Sequence, residues 1–386
     1  MSEQQGERGH AVTPLELFFD LVFVFGFTQV TTVLSNNPTW SGLGHGLLIL
    51  ATLWWAWAAY TWLTNTVDPG IGSVSGAMLV AMAAMFVAAL AVPDAFGRHG
   101  VLLGVAFLIV NVMHVTLNAL TARGNRDLLA ATLRYAPTAL SGAVLILAAG
   151  FVHGGLKPIL WLVALAIGLF GPLLGGMSGW RIEPAHFVER HGLIVIIAIG
   201  ESLIAIGLGE RLSELSAGVL VAAVLGFAVA TSFWLAYFDF FPIRGERMLA
   251  DRSGVERVAL ARDVYIYLHL PMVAGIVLFA FAMKATLAHV GAKLGTIPAL
   301  ALTGGPALYL FAYVAIRARV SHTLGHGRLL AAIACALLFP VAIVAPALVA
   351  LTLVAAVWVT LHAYELIWWR EARAQTRAQR PHASAS

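Results

Sequence analysis

Within the apolar run LELFFDLVFVFGFTQV, Glu16 and Asp20 stand one helical turn apart. At about 100° per residue they share a face with Phe23, Phe27 and Thr31, while Gln29 points elsewhere. A carboxylate withheld from water is costly, so such a pair either meets a partner or lines a path for a cation or proton. For Glu16 the structural alternative is a place at the membrane interface, and for Asp20 it is a cap or a bond to a neighbouring helix. A second run, ERHGLIVIIAIGESLIAIG, puts Glu201 within a residue of the midpoint of a span over 191–209, about 15 Å above His191 by helical rise. A charge at that depth costs about 2.5–3.5 kcal/mol, so Glu201 must be protonated, paired or hydrated. Glycines at 192, 200, 207 and 209 admit a close backbone, an ion or water beside this helix.

Basic and amphoteric groups that could answer these acids are few. Arg134, in LLAATLRYAPTAL, is read as the basic residue inside a span, either pairing with Glu201 or snorkelling to the interface. Pro137, just beyond it, kinks that helix and frees a carbonyl. His269, in RDVYIYLHLPMVAG, lies about two turns into its helix, as a proton relay or a satisfied packing histidine. Asp239, in FWLAYFDF, falls near a boundary. The segment RIEPAHFVERHG offers Glu183, His186, Glu189 and His191, but a metal in a helical bundle needs such groups from several helices at once. A salt-bridge and capping cluster is the expectation there, and His322 with His326 carries no more weight. Neither a metal nor a cofactor is expected. The tryptophans of LWWAWAAYTWL read as interfacial belt and packing, with a ligand box as the alternative. No Walker loop, G-x-S-x-G, CxxC pair or dinucleotide fingerprint appears in a suitable context.

The elements that must position these groups follow from composition. Of the 386 residues, 60% are hydrophobic and only 11% charged, whereas soluble domains run at about 25% charged. Apolar runs recur at roughly the 20-residue length that crosses hydrocarbon. The expected class is all-α, a polytopic transmembrane bundle of about twelve helices: 15–34, 43–64, 71–93, 100–121, 129–151, 157–177, 191–209, 214–237, 263–284, 298–318, 328–346 and 347–369. The break at Pro346 is the least marked. The first run lacks a cleavage pattern and reads as a retained helix. With the N-terminus inside, inside segments hold about 17 Lys and Arg and outside ones about 5, which puts both termini in the cytoplasm. Twenty arginines against three lysines, with abundant alanine, lean towards a bacterial chain in the inner membrane.

The net charge of +4 lies in loops rather than on one face, which excludes nucleic acid as a partner. The lipid bilayer, a small cation or proton, and a second copy of the chain in a homodimer are the partners considered. The connection 244–262 alternates in sign at helical spacing and reads as an amphipathic surface helix. The tail 371–386 is small, polar and expected to be disordered. Cys335, the single cysteine, sits in an apolar run and excludes an intrachain disulfide. Gly42 with Gly46 and Gly171 with Gly175 mark close helix contacts. The whole of 1–386 is expected to be one membrane domain. Aligning the first and seventh helices sets Glu16 on Glu189 and Thr28 on Glu201, which suggests a parallel six-plus-six repeat with halves 14–180 and 181–370.

In order and spacing, PLELFFDLVFVFGFTQV, HFVERHGLIVIIAIGESLIAIG, YFDF and YIYLHLPMVAGI resemble the low temperature requirement protein A family of bacterial membrane proteins. The resemblance runs from about Pro14 to the last helix. It implies family positions at Glu16, Phe19, Asp20, Glu189, Arg190, His191, Gly200, Glu201, Ser202, Asp239, His269 and Pro271, and it implies no reaction or substrate. LELFFDLVF is also similar, more faintly, to the first helix of lysosomal-type potassium channels, which pair their first and seventh helices. Phe19 replaces that motif's serine and Leu193 its recurring acid, so potassium selectivity is not implied. The leading expectation is a channel or transporter for an ion or small solute, with Asp20 and Glu201 as sites and Arg134 and His269 as secondary participants. An enzyme acting on a lipid-linked substrate through Glu201, His269 and Asp239 is the alternative. A non-catalytic stress-adaptation protein is the third reading.

Overall fold

Backbone amides cannot be left unbonded in hydrocarbon, so apolar runs of this length have helices as their local solution. The computed structural model describes residues 12–67, 72–174, 176–207, 216–239 and 241–368. These are helical nearly throughout, with no strand among the described residues beyond one isolated bridge between Lys293 and Pro346. The helices are α1 (Pro14–Asn36), α2 (Trp40–Thr66), α3 (Gly72–Ala91), α4 (Gly100–Thr121), α5 (Arg126–Phe151), α6 (Leu156–Leu174), α7 (Pro184–Gly207) and α8 (Ala217–Phe238). They continue as α9 (Phe241–Ala250), α10 (Gly254–Ala261), α11 (His269–Ala288), α12 (Thr296–Ser321), α13 (His326–Leu337), α14 (Phe339–Val344) and α15 (Ala347–Trp368). Twelve stretches among the described residues are long and apolar enough to cross a membrane, with α13 and α14 forming one of them.

The terminators are local. Thr13 caps α1 and Pro14 occupies its first turn, where a missing N–H costs nothing. Ala345 is extended before Pro346, and the amides of Ala347 and Leu348 bond to Ala292 and Val290 carbonyls, so the twelfth span starts where the proline suggested. The connection expected to be one amphipathic helix is two, α9 and α10. Ser253 caps α10 in an extended conformation and Gly254 adopts φ 53°, which together break the run. Six residues of π-helix, Arg262–Tyr267, then lead into α11.

The chain forms two compact units. One comprises the described residues up to Ile197 together with Leu249–Ile266, and the other runs over Ala198–Met248 and from Tyr267 onwards. In the first, α1 packs on α2 and α3, and α4 on α3 and α5. Gly46 lets α2 approach α1, since a methyl there would meet the Leu34 side chain at 2.7 Å, and Gly171 does the same for α6 against Thr138. Gly175 lies outside the described residues. In the second unit α11 packs along α12 and α8 against α15. Its core packs Phe233 tilted against Tyr309, with ring centroids 4.8 Å apart, and edge-on to Trp358 at 5.0 Å. Cys335 is fully buried on α13.

Candidate functional site

The first unit holds a charge cluster with almost no water. Glu16 and Asp20 on α1 and Arg190 on α7 are each at most 1% exposed. The Arg190 Nη2 donates to Asp20 Oδ1 at 2.8 Å, and the Trp57 indole N–H donates to the same oxygen at 2.9 Å. Arg190 Nη1 lies 3.7 Å from Glu16 Oε1. Glu16 also closes a capping box: its Oε2 accepts from the Thr13 amide at 2.9 Å while the Thr13 hydroxyl accepts from the Glu16 amide at 3.4 Å. Asp20 Oδ2 and the Nε of Arg190 have no hydrogen-bond partner among the described residues, an expensive state for buried polar atoms.

His186 completes the cluster, bonded to Asn65 on one side and Glu16 on the other. The Asn65 Oδ1 accepts from the Glu183 backbone N–H at 2.6 Å, which fixes the orientation of the amide. Asn65 Nδ2 must therefore donate to His186 Nδ1, at 3.1 Å. The hydrogen of a neutral imidazole then sits on Nε2, which lies 3.1 Å from Glu16 Oε1 and 3.2 Å from Oε2. Two carboxylates thus face one guanidinium, with the His186 imidazole beside Glu16.

Glu201 belongs to the second unit. It is fully buried, and Lys284 Nζ on α11 lies 3.4 Å from its Oε1. Lys284 is 24% exposed, so the pair joins a fully buried acid to a partly exposed amine. Beside it Ser202 is fully buried, with no hydrogen-bond partner for its Oγ among the described residues, and a methyl on Gly200 would meet nothing within 4 Å.

The remaining positions are spread more widely. Arg134 is exposed and donates from Nη2 to the Ser178 carbonyl at 2.6 Å, and the amine beside Glu201 is that of Lys284. Arg134 edges a cavity of about 80 Å³ lined by Trp55, Trp62, His114, Tyr135 and Trp180, whereas Trp54 donates to the Ile266 carbonyl of the π-helix at 2.9 Å. His269 is fully buried and 3.1 Å from the Tyr237 hydroxyl, and Pro271 follows in the first turn of α11. Asp239 caps α8. Glu189 is exposed and accepts from the Val12 amide at 3.3 Å. His191 donates to the Phe187 carbonyl at 2.8 Å among the rings of Trp57 and Tyr265, so the Glu and His residues of this segment serve separate bonds. Phe19 is fully buried against Tyr60.

Three partners escaped the sequence reading. Arg190 was assigned to a loop because the seventh span was started at 191, whereas α7 begins at Pro184, and proline in a first turn was the signal for that. Lys284 is the last residue of the expected span 263–284 and drew no attention there, whereas α11 continues past it to Ala288. Arg328 and Glu365 form a bidentate pair at 2.6 and 3.2 Å, 37 positions apart, and no local spacing announces it.

Membrane-length helices enclosing ion pairs define a multi-pass membrane protein of the all-helical class. The chain belongs to the bacterial low temperature requirement A protein (LtrA) family, whose pattern matches residues 11–363. It is 31% identical over 309 residues to the uncharacterized protein RA0937 of Rhizobium meliloti (strain 1021), covering 76% of this chain and 74% of that one. No solved structure matches it.

Proposed function

We propose that this protein is a transporter of the bacterial inner membrane that exchanges or couples protons with a small cation or solute, and that the α1–α7 cluster binds the proton. The observation that carries this reading is the charge count. Glu16, Asp20 and Arg190 are at most 1% exposed, the His186 imidazole lies between Asn65 and Glu16, and two carboxylates share one guanidinium. Uptake of one proton changes the net charge of this set, and release restores it. Buried carboxylates that change protonation in this way bias the packing of the helices that hold them. The Glu201–Lys284 pair is a second site in the same reading, with an acid buried in protein and a partly exposed amine. In this reading both termini are cytoplasmic and the chain is one membrane domain of two six-helix repeats.

The test is a flux assay in proteoliposomes carrying an internal pH dye, with sodium and potassium gradients imposed in turn. Wild-type protein should move protons on at least one gradient. Asp20→Asn should slow this at least tenfold while its elution profile in detergent stays that of wild type, and Glu201→Gln should also slow it. Unchanged flux in both variants would remove the residue assignments, and no flux of any ion would remove transport. A role in packing alone, which the 2.8 Å Arg190–Asp20 bond favours, instead makes Asp20→Asn less stable with no loss of flux per folded molecule.

A further inference from the structure

A cleft of about 850 Å³ opens in the second unit where α9, α12, α13 and α15 end or begin. Its charged lining is mostly basic. Arg244, Arg317, His326 and Arg328 face it, and the acid among its lining residues is Glu365. That carboxylate is already committed, accepting two bonds from Arg328, whose guanidinium also lies 3.8 Å over the Tyr313 ring. Arg328 is 8% exposed, so this pair is a fixed wall. Arg244 is exposed and Arg317 half-buried.

The loop between α12 and α13 brings further positive potential to the same place. His322 takes φ 53° and Gly325 φ 69°, and these two left-handed residues fold the chain back tightly. Gly325 is the N-cap of α13 and supplies no side-chain acceptor for the first-turn amides. A methyl on Gly325 would sit 3.1 Å from Arg317 Cδ and Nη1, so the guanidinium lies across the positive end of the helix. Arg317 also donates from Nε to the Thr323 hydroxyl at 3.0 Å, which holds it there. A guanidinium set against an uncapped helix N-terminus repels it, and an anion between them reverses the sign of that interaction.

We propose that this cleft binds the phosphate of an anionic phospholipid headgroup, between Arg244, Arg317 and the N-terminus of α13. A lipid is favoured over a free phosphate because much of the remaining wall is apolar. Phe241, Ile316, Val320 and Leu324 offer surface to a glycerol backbone and the first acyl methylenes. The chain's own tail is not the occupant by charge, since residues 369–386 carry four arginines against one glutamate.

The test uses the full chain in neutral detergent, with native mass spectrometry and thermal unfolding as readouts. Phosphatidylglycerol should bind at least tenfold more tightly than phosphatidylcholine and raise Tm, and inorganic phosphate at the same concentration should do neither. Arg244→Gln with Arg317→Gln should remove that preference at least tenfold while the Tm in phosphatidylcholine stays near the wild-type value. Arg244→Gln alone, at an exposed position, should give a partial loss and serves if the double variant does not fold. Equal binding of the two lipids, or a preference unchanged by the variants, overturns the proposal. Saturation by inorganic phosphate at lipid-like concentration assigns the cleft to a soluble ligand and overturns the lipid.

Discussion

Arg190 is the residue on which the buried cluster turns, because removing it leaves two carboxylates together without their cation. Arg190→Met should destabilise the protein by about 3–5 kcal/mol, the range for breaking a buried pair from one side. Adding Asp20→Asn to that variant should recover a substantial part of the loss, since the remaining groups are then Glu16 and its capping partners. Denaturant unfolding of both variants in detergent checks this, and a double variant no more stable than the single one would show that the charges are not coupled. The acids themselves were legible in the sequence, since a carboxylate four residues from another in LELFFDLVF needs no structure to be conspicuous. Their cation was not, because hydropathy ends a span at the first run of charges while a helix ends where its backbone bonds end. Arg190 lies in that difference, and Lys284 stands at the very end of its expected span.

At the level of elements, α11 and α12 cross with their backbones nearly touching. A methyl on Gly275 would lie 2.5 Å from the Gly305 carbonyl oxygen, and one on Gly305 would lie 2.6 Å from the Gly275 carbonyl oxygen. Neither neighbour is a flexible side-chain tip, so the helices themselves must part. Gly275→Ala should cost about 1–3 kcal/mol as overpacking. Gly44→Ala, on α2 where a methyl meets nothing within 4 Å, should be neutral or stabilising by up to about 1 kcal/mol. Thermal unfolding of the two variants side by side decides it. The length of each span and the break at Pro346 were readable because hydrocarbon thickness and a missing N–H act on the chain locally. The division of the 244–262 connection into α9 and α10 depended on Ser253 and Gly254, a cap and a left-handed residue within an otherwise continuous charge pattern. Which glycines lie against backbone was not readable, since that depends on which helix arrives opposite.

For the molecule as a whole, helix number and class followed from composition and run length, whereas the pairing of distant groups did not. Arg328 with Glu365 and Trp57 with Asp20 join different helices, and only the packed bundle brings them together. Orientation rests on the arginine distribution, with about 17 basic residues assigned to one side. A green fluorescent protein fused at the C-terminus should fluoresce and an alkaline phosphatase at the same place should be inactive; the opposite pattern would invert the topology. Cys335 offers a practical opening onto such questions. As the chain's one thiol, fully enclosed by protein, it gives soluble maleimides no foothold. The native chain can therefore serve as its own unlabelled background, and a cysteine introduced at an exposed site such as Ser178 would carry a spin label or fluorophore alone. Two such sites would turn any helix movement between acid and neutral pH into a measured distance.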